Sequence, residues 1–199
     1  MIARCFIPAI MAGVLISLGC CAYASVENHI VGAMLFALGL MSVVMYRRKL
    51  YTGMAGMARS CADFFDLVVI FLGNLLGCCL LAVFVFMAHL QCMQQLGAIA
   101  AAKLAVRPWH EVLFAAVICG ALMEIGVAAW RSDREVHTAK SFITIASVMV
   151  FILIGAEHSV ANCFYLMFGH GSLLSAILFI AICFVGNGIG GQLVNRLSR

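Results

Sequence analysis

The chain has 199 residues, 65% of them hydrophobic and only 10% charged, with a mean hydropathy of +1.13. Soluble domains run at about 45–50% apolar and about 25% charged residues, so this composition excludes an ordinary soluble enzyme, a disordered chain and a nucleic-acid binder. Twelve Lys and Arg against eight Asp and Glu leave a formal charge of +4, which in so apolar a chain reads as membrane topology.

A helix needs about 20 apolar residues to cross a bilayer, and the length accommodates six with short loops. The expected fold is therefore an all-α integral membrane protein, one transmembrane domain over 1–199. The first span covers about 6–25. Its start has the look of a signal peptide, but Pro8 and Gly13 interrupt it and no small-residue cleavage site precedes Val26 and Glu27, so it reads as a retained span. The second apolar run, about 30–46, ends on Arg47, Arg48 and Lys49. A mixed stretch to Arg59 leads to a short piece with Asp63 and Asp66. Asp66 is open to capping a helix or joining a polar cluster. The third span is about 64–90, followed by a more polar loop from Gln91 to Arg107 that is partly helical through its alanines. Pro108 and Trp109 open the fourth span, about 109–130, with Trp130 as an interface anchor. A charged loop at 131–140 precedes the fifth run, about 141–168, which GAEHS at 155–159 interrupts. His170 and Gly171 form a tight turn before the sixth span, about 172–195.

Ten cysteines occur, seven of them inside apolar runs and none in a CxxC pair, so no zinc or redox site is expected and they read as small hydrophobes. No cofactor or metal is implied. The basic residues set orientation. With both termini in the cytoplasm, ten of the twelve Lys and Arg lie inside and only Lys103 and Arg107 lie outside, which satisfies the positive-inside rule.

The third and sixth spans share a motif. Phe71-Leu72-Gly73-Asn74-Leu75-Leu76-Gly77 and Phe184-Val185-Gly186-Asn187-Gly188-Ile189-Gly190 both read F-x-G-N-x-x-G. An asparagine in lipid must hydrogen-bond, and glycines beside it let backbones approach. Each copy ends a set of three spans, about 6–90 and about 109–195, so the halves are expected in opposite orientation, as an inverted 3+3 repeat. Broken segments at Tyr51-Thr52-Gly53-Met54-Ala55-Gly56 and at Gly155-Ala156-Glu157-His158-Ser159 strengthen the pattern. Unwound backbone at membrane depth lines a cavity or is buried in protein, and paired broken helices point to a substrate path between the halves.

His158, beside Glu157 in an apolar run, is the sharpest site candidate, because histidine exchanges a proton near neutral pH. Thr52 in the other break offers a hydroxyl. Lys103 alone reads as a loop charge. Glu124, in the middle of the fourth span, faces either a helix contact or a wet cavity.

These residues also carry a family resemblance. Gly155 to Asn162 resembles the G-x-E-H-S-x-A-N signature of the formate/nitrite transporter family. Both F-x-G-N-x-x-G copies, Leu50-Tyr51-Thr52-Gly53 and the tract Cys119 to Trp130 are similar to other elements of that family, over about residues 8–194. The resemblance implies pentamers of six-helix, aquaporin-like protomers, each with its own pore. It implies that His158 is the central pore histidine, Thr52 the loop threonine facing it, and Lys103 the lysine that attracts anions. It places Phe36 and Phe151 at hydrophobic constrictions, with Leu50 and Tyr51 nearby, and gives Asn162 a supporting role. The implied function is passage of a small monovalent anion or its weak acid, of the formate or nitrite type, across a bacterial inner membrane with proton exchange at His158. Hydrosulfide and other short-chain acid anions are alternatives. The chain departs from the family pattern at Lys49 and Met54, where Glu and Asn are usual, at Arg47 and Arg48, where small residues are, and at Leu122 and Glu124.

Two other classes were weighed. A membrane redox protein needs facing histidines, but His89, His110, His137 and His170 lie near segment ends, and no G-x-S-x-G elbow signals a hydrolase. A non-transporting membrane relative is the third reading.

Overall fold

A computed structural model describes residues 2–105, 107–131 and 136–198. Arg134 and Arg199, counted above among the basic residues, lie outside the described residues. The order is α1 (Ile2–Ala24), α2 (His29–Met45), α3 (Tyr51–Met54) running into a 3-10 turn (Ala55–Met57), α4 (Cys61–Met87), α5 (Met93–Leu104), α6 (Trp109–Arg131), α7 (His137–Leu153), α8 (Ser159–Leu166) and α9 (Leu173–Leu197). No strand occurs among the described residues. Four helices, α1, α4, α6 and α9, are long and apolar enough to cross a membrane, and α2 and α7 are shorter apolar helices of 17 residues each. Large apolar side chains such as Phe84, Phe142 and Leu174 stand on the outside, as lipid rather than water requires.

The long helices pack in pairs, α1 along α4 and α6 along α9. The α2 and α7 helices join the pairs to each other. The short elements fill the middle. Every residue of α8 is buried, as are Tyr51, Thr52 and Gly53 of α3. Each short element crosses to the other half, α8 packing on α1 and α4, and α3 on α6 and α9.

The two motif copies do the same work. The Oδ1 of Asn74 accepts from the Tyr51 N–H at 2.9 Å, and its Nδ2 donates to the carbonyls of Ala9 and Lys49. The Oδ1 of Asn187 accepts from the Ser159 N–H at 2.8 Å, and its Nδ2 donates to Ala116 and Glu157. Each amide thus ties its own long helix to that helix's partner, through a second bond to a helical carbonyl, and to the neighbouring broken segment, whose N–H and C=O no helix supplies. The glycines match too. A methyl group on Gly13 would overlap the Asn74 carbonyl, and one on Gly120 would overlap that of Asn187. A Cβ on Gly73 would lie 2.7 Å from the Ala9 side chain, and one on Gly186 would lie 2.6 Å from that of Ala116. Only bare backbone permits so close an approach.

Both breaks begin with a helix end of the same design. After α2, the Arg47 and Arg48 N–H groups donate to the Val44 and Val43 carbonyls. After α7, the Gly155 and Ala156 N–H groups donate to Ile152 and Phe151. This is a Schellman motif, whose turning residue is left-handed. Gly155 takes φ +72° there without strain, whereas Arg47 holds φ +52°, a conformation that costs an L-residue about 1–2 kcal/mol.

Several expected boundaries move. The first break lies at 46–50, and the residues expected to be unwound, from Tyr51 on, form α3 and the 3-10 turn instead. The Asn74 amide accepts the N–H that opens α3, which is why the chain can rewind there. The loop after the third span contains α5. The piece before that span is already helical, so α4 runs unbroken from Cys61. Its cap is a reciprocal pair between Ser60 and Asp63, so Asp66 does not cap the helix. The Trp130 indole N–H is spent within the protein, on Thr144 at 2.7 Å.

Candidate functional site

The α7–α8 break presents His158 as the N-cap of α8. Its Nδ1 accepts from the Ala161 N–H at 3.1 Å. A backbone N–H can only donate, so Nδ1 carries no proton and the ring is neutral with its proton on Nε2. Nε2–H then donates to the Thr52 Oγ1 at 3.0 Å, which leaves the threonine hydroxyl hydrogen free to donate elsewhere. This bond joins the two broken segments across 106 residues of sequence, between side chains that are 2% and 0% exposed.

Two cavities approach this pair and share no lining residue. The first, about 310 Å³, is lined by Lys103, Arg107, Glu157, His158, Phe36 and Phe151 among others. The second, about 320 Å³, lies beyond Leu50 and Gly53 and includes Arg47, Arg48, Lys49 and Arg131. They are displaced along α2, where Phe36 lines the first and Val43 the second. Seven residues of helix separate these positions by about 10 Å. The Phe36 and Phe151 rings meet edge to face at 5.7 Å, and Phe151 stacks on the His158 ring at 5.6 Å. An apolar pair therefore stands directly against the hydrogen-bonding pair.

In the first cavity Glu157, 2% exposed, accepts from Lys103 Nζ at 2.5 Å, from Arg107 at 2.8 Å and from the Asn162 amide at 2.9 Å. Lys103 also lies 5.9 Å from the centre of the Tyr165 ring. Burying a carboxylate is tolerable only with such partners. Two cations against one carboxylate leave this vestibule with a net positive charge. The Asn162 side chain thus holds Glu157 in place, while its backbone N–H donates to the His158 carbonyl at 2.9 Å.

At the other end a second carboxylate is buried. Glu124 Oε1 accepts from Arg131 and, at 2.7 Å, from Asn195. Arg131 also donates to the Gly53 carbonyl at 3.2 Å, and Gln192 donates to the carbonyls of Ala55 and Ala58. The α3 segment carrying Thr52 is therefore fastened from α6 and α9. Glu124 serves a helix contact, and its Oε2 has no hydrogen-bond partner.

His158, Thr52, Phe36, Phe151 and Leu50 come together between the cavities, while Lys103, Glu157 and Asn162 line one approach. Tyr51 stands apart from them. Its ring stacks on Phe184 at 4.1 Å and its hydroxyl donates to the Phe184 carbonyl at 2.7 Å, so it serves packing between the halves. Asn74, Gly73, Asn187 and Gly186 act through the backbone, as described. The sequence reading missed Arg107 and Arg131 as site residues. Each finds its carboxylate on a different element or a different turn, and a tally of loop charges does not show that.

Comparison with known proteins completes the picture. A family model described as "Formate/nitrite transporter" matches residues 1–198. The chain is 26% identical over 189 residues to the formate channel FocA of Haemophilus influenzae, a match covering 82% of this chain and 66% of that protein's length. Among solved structures, an FNT family ion channel superposes with a TM-score of 0.86 at 22% identity, covering 98% of this chain and 88% of the other. A pentameric formate channel with formate bound superposes with a TM-score of 0.76 at 21% identity, covering 99% and 92%. With a family match over nearly its whole length, and a fold shared with channels of that family, this chain is an integral membrane protein belonging to the formate/nitrite transporter family.

Proposed function

We propose that the chain forms a pore for small monovalent anions of the formate or nitrite type, or their weak acids. Its six helical spans would form an inverted 3+3 repeat, with both termini cytoplasmic in a bacterial inner membrane and protomers assembled as a pentamer. The matched bonding of Asn74 and Asn187, and the matched helix ends at 46–48 and 154–156, support the repeat. The 17-residue α2 and α7 then cross the bilayer together with the short elements that follow them. The observation that carries the function is the Thr52–His158 hydrogen bond, with His158, Phe36 and Phe151 lining one cavity and Gly53, next to Thr52, lining the other.

In this reading Lys103 and Arg107 draw an anion into the first vestibule, while Glu157 and Asn162 keep the lysine in place. At the Phe36–Phe151 pair the anion loses water, which is steeply unfavourable for a charge and much less so for a neutral acid. The Thr52 hydroxyl and His158 Nε2–H are the donors available there. Proton exchange requires the imidazolium, in which Nδ1 also carries a proton and releases the Ala161 N–H. The imidazolium, formed by a proton from vestibule water, gives its Nε2 proton to the anion and is left neutral with its proton on Nδ1. Water then protonates Nε2 and takes the Nδ1 proton, which restores the tautomer that accepts from Ala161. The resting ring is the neutral one that caps α8.

The test is uptake of labelled formate and nitrite into liposomes over several pH values, with His158→Asn as the variant. Asparagine still caps a helix but does not titrate. Flux that loses its pH dependence while the protein stays folded is the expected result. No flux of any small monovalent anion at any pH refutes the pore, and an unchanged pH profile refutes the proton step.

A further inference from the structure

We propose that the vestibule lined by Arg47, Arg48, Lys49 and Arg131 is a binding site for a multiply charged phosphate anion, whose occupancy blocks the pore at Leu50 and Gly53. The block rests on the anion-pore reading above; the site itself does not. Four observations carry it. Four cations line the cavity and, among the described residues, no carboxylate does; of the four, Arg131 is paired, with Glu124 behind the wall. Among the described residues Arg47, Arg48 and Lys49 form no ion pair, and only Lys49 has carboxylates near, Asp63 and Asp66 across an adjoining cavity. The other vestibule, by contrast, sets Glu157 directly between its two cations. A substrate of the formate class answers one positive charge at a time and occupies a small part of about 320 Å³.

The fourth observation is the backbone at Arg47. The same helix end in the second half uses Gly155, at φ +72°, and a glycine would satisfy this one without strain. Arg47 instead holds φ +52° and lines the cavity beside Arg48. His89 holds a similar φ of +48° at the end of α4, so the strain at Arg47 points to function through the cavity beside it. Guanidinium groups in pairs match phosphate oxygens by forked hydrogen bonds, and several cations around one cavity select for multiple negative charge. The cavity wall also carries Trp130, Met54 and Val127, which gives an apolar surface beside the charges.

The probe is inorganic tripolyphosphate, titrated calorimetrically into the detergent-solubilised full chain at about 0.1 M salt, where surface attractions beyond about 10 Å are screened. Binding at least about tenfold tighter than that of formate is expected. Arg47→Gly is expected to weaken it about tenfold, the loss of one charge-assisted contact, while leaving the melting temperature unchanged or raised because glycine suits that backbone. Arg48→Gln is the second variant and is expected to act in the same direction. No tripolyphosphate binding, or binding indifferent to both substitutions, overturns the site. Competition by phosphatidic acid dispersed in the detergent supports the site with phosphomonoester lipid headgroups as its natural phosphate source, and lack of competition supports it with soluble phosphates. In phosphatidylcholine vesicles, tripolyphosphate on both sides is expected to inhibit formate uptake in the native chain and much less in Arg47→Gly. Arg47-dependent binding without any formate uptake would sink the pore and leave the site standing. Uptake that tripolyphosphate does not reduce, despite binding, overturns the block.

Discussion

Replacing Asn187 by alanine would strand two backbone groups at once. The Ser159 N–H and the Glu157 carbonyl would lose their partner at membrane depth, while the Ala116 carbonyl, inside α6, keeps its helical donor. Asn187 is fully buried, so water does not replace the amide. A buried polar group left without a hydrogen bond costs about 1–3 kcal/mol, so two of them amount to about 2 kcal/mol at the least. For a chain of this size that corresponds to about 4–8 °C in melting temperature. The same substitution at Asn74 strands the Tyr51 N–H and the Lys49 carbonyl, and is expected to cost about the same. The assay is thermal unfolding of each purified variant in one detergent, followed by tryptophan fluorescence. A shift below about 2 °C for both variants would refute the reasoning that these amides satisfy otherwise orphaned backbone. A large shift for one and none for the other would refute their equivalence.

Further outcomes follow from the site. Thr52→Val removes the acceptor for the His158 Nε2–H at constant volume, and is expected to lower formate flux about tenfold, whereas Thr52→Ser keeps most of it. Stopped-flow uptake of the two variants checks this, and equal loss in both would point to packing instead of the hydroxyl. Replacing Lys103 and Arg107 together by glutamine leaves Glu157 as an unpaired buried carboxylate. Uptake is expected to fall most at low ionic strength, where charge steering is strongest; a salt series measures it. Gly120→Ala puts a methyl group into the Asn187 carbonyl and is expected to cost about 1–3 kcal/mol through overpacking, read as a lowered melting temperature.

What the sequence disclosed follows from what a membrane forbids. An asparagine amid leucines and phenylalanines has to be satisfied, so Asn74 and Asn187 announced both their burial and their importance. His158 and Glu157 stood out for the same reason. The helix ends were less legible, because apolar composition is shared by a span and by the residues packed beside it. Tyr51 to Gly56 has glycines and a β-branched residue that suggest unwinding, yet an amide from α4 lets it rewind as α3. The direction of Tyr51 was not legible either, since a single residue in a short element carries no periodicity. The α5 helix was legible in part through its alanines, while Gln94, Gln95 and Gly97 dilute the apolar pattern that would have marked its full length. The pairing of Glu124 with Asn195 depends on α6 and α9 lying side by side, which composition along one helix does not encode, whereas Arg131 lies two turns on along the same helix.

The two asparagine anchors also bear on the order in which the molecule can be built. Every bond of the first anchor, to Ala9, Lys49 and Tyr51, lies upstream of residue 74. Every bond of the second, to Ala116, Glu157 and Ser159, lies between α6 and residue 187. During synthesis the leading half therefore has all the partners for its own knot once α4 has entered the bilayer, with nothing owed by residues still on the ribosome. The Thr52–His158 bond cannot form until the trailing half arrives. Thus the most protected joints of the molecule close early and separately, and the bond at the centre of the proposed path is among the last to be made.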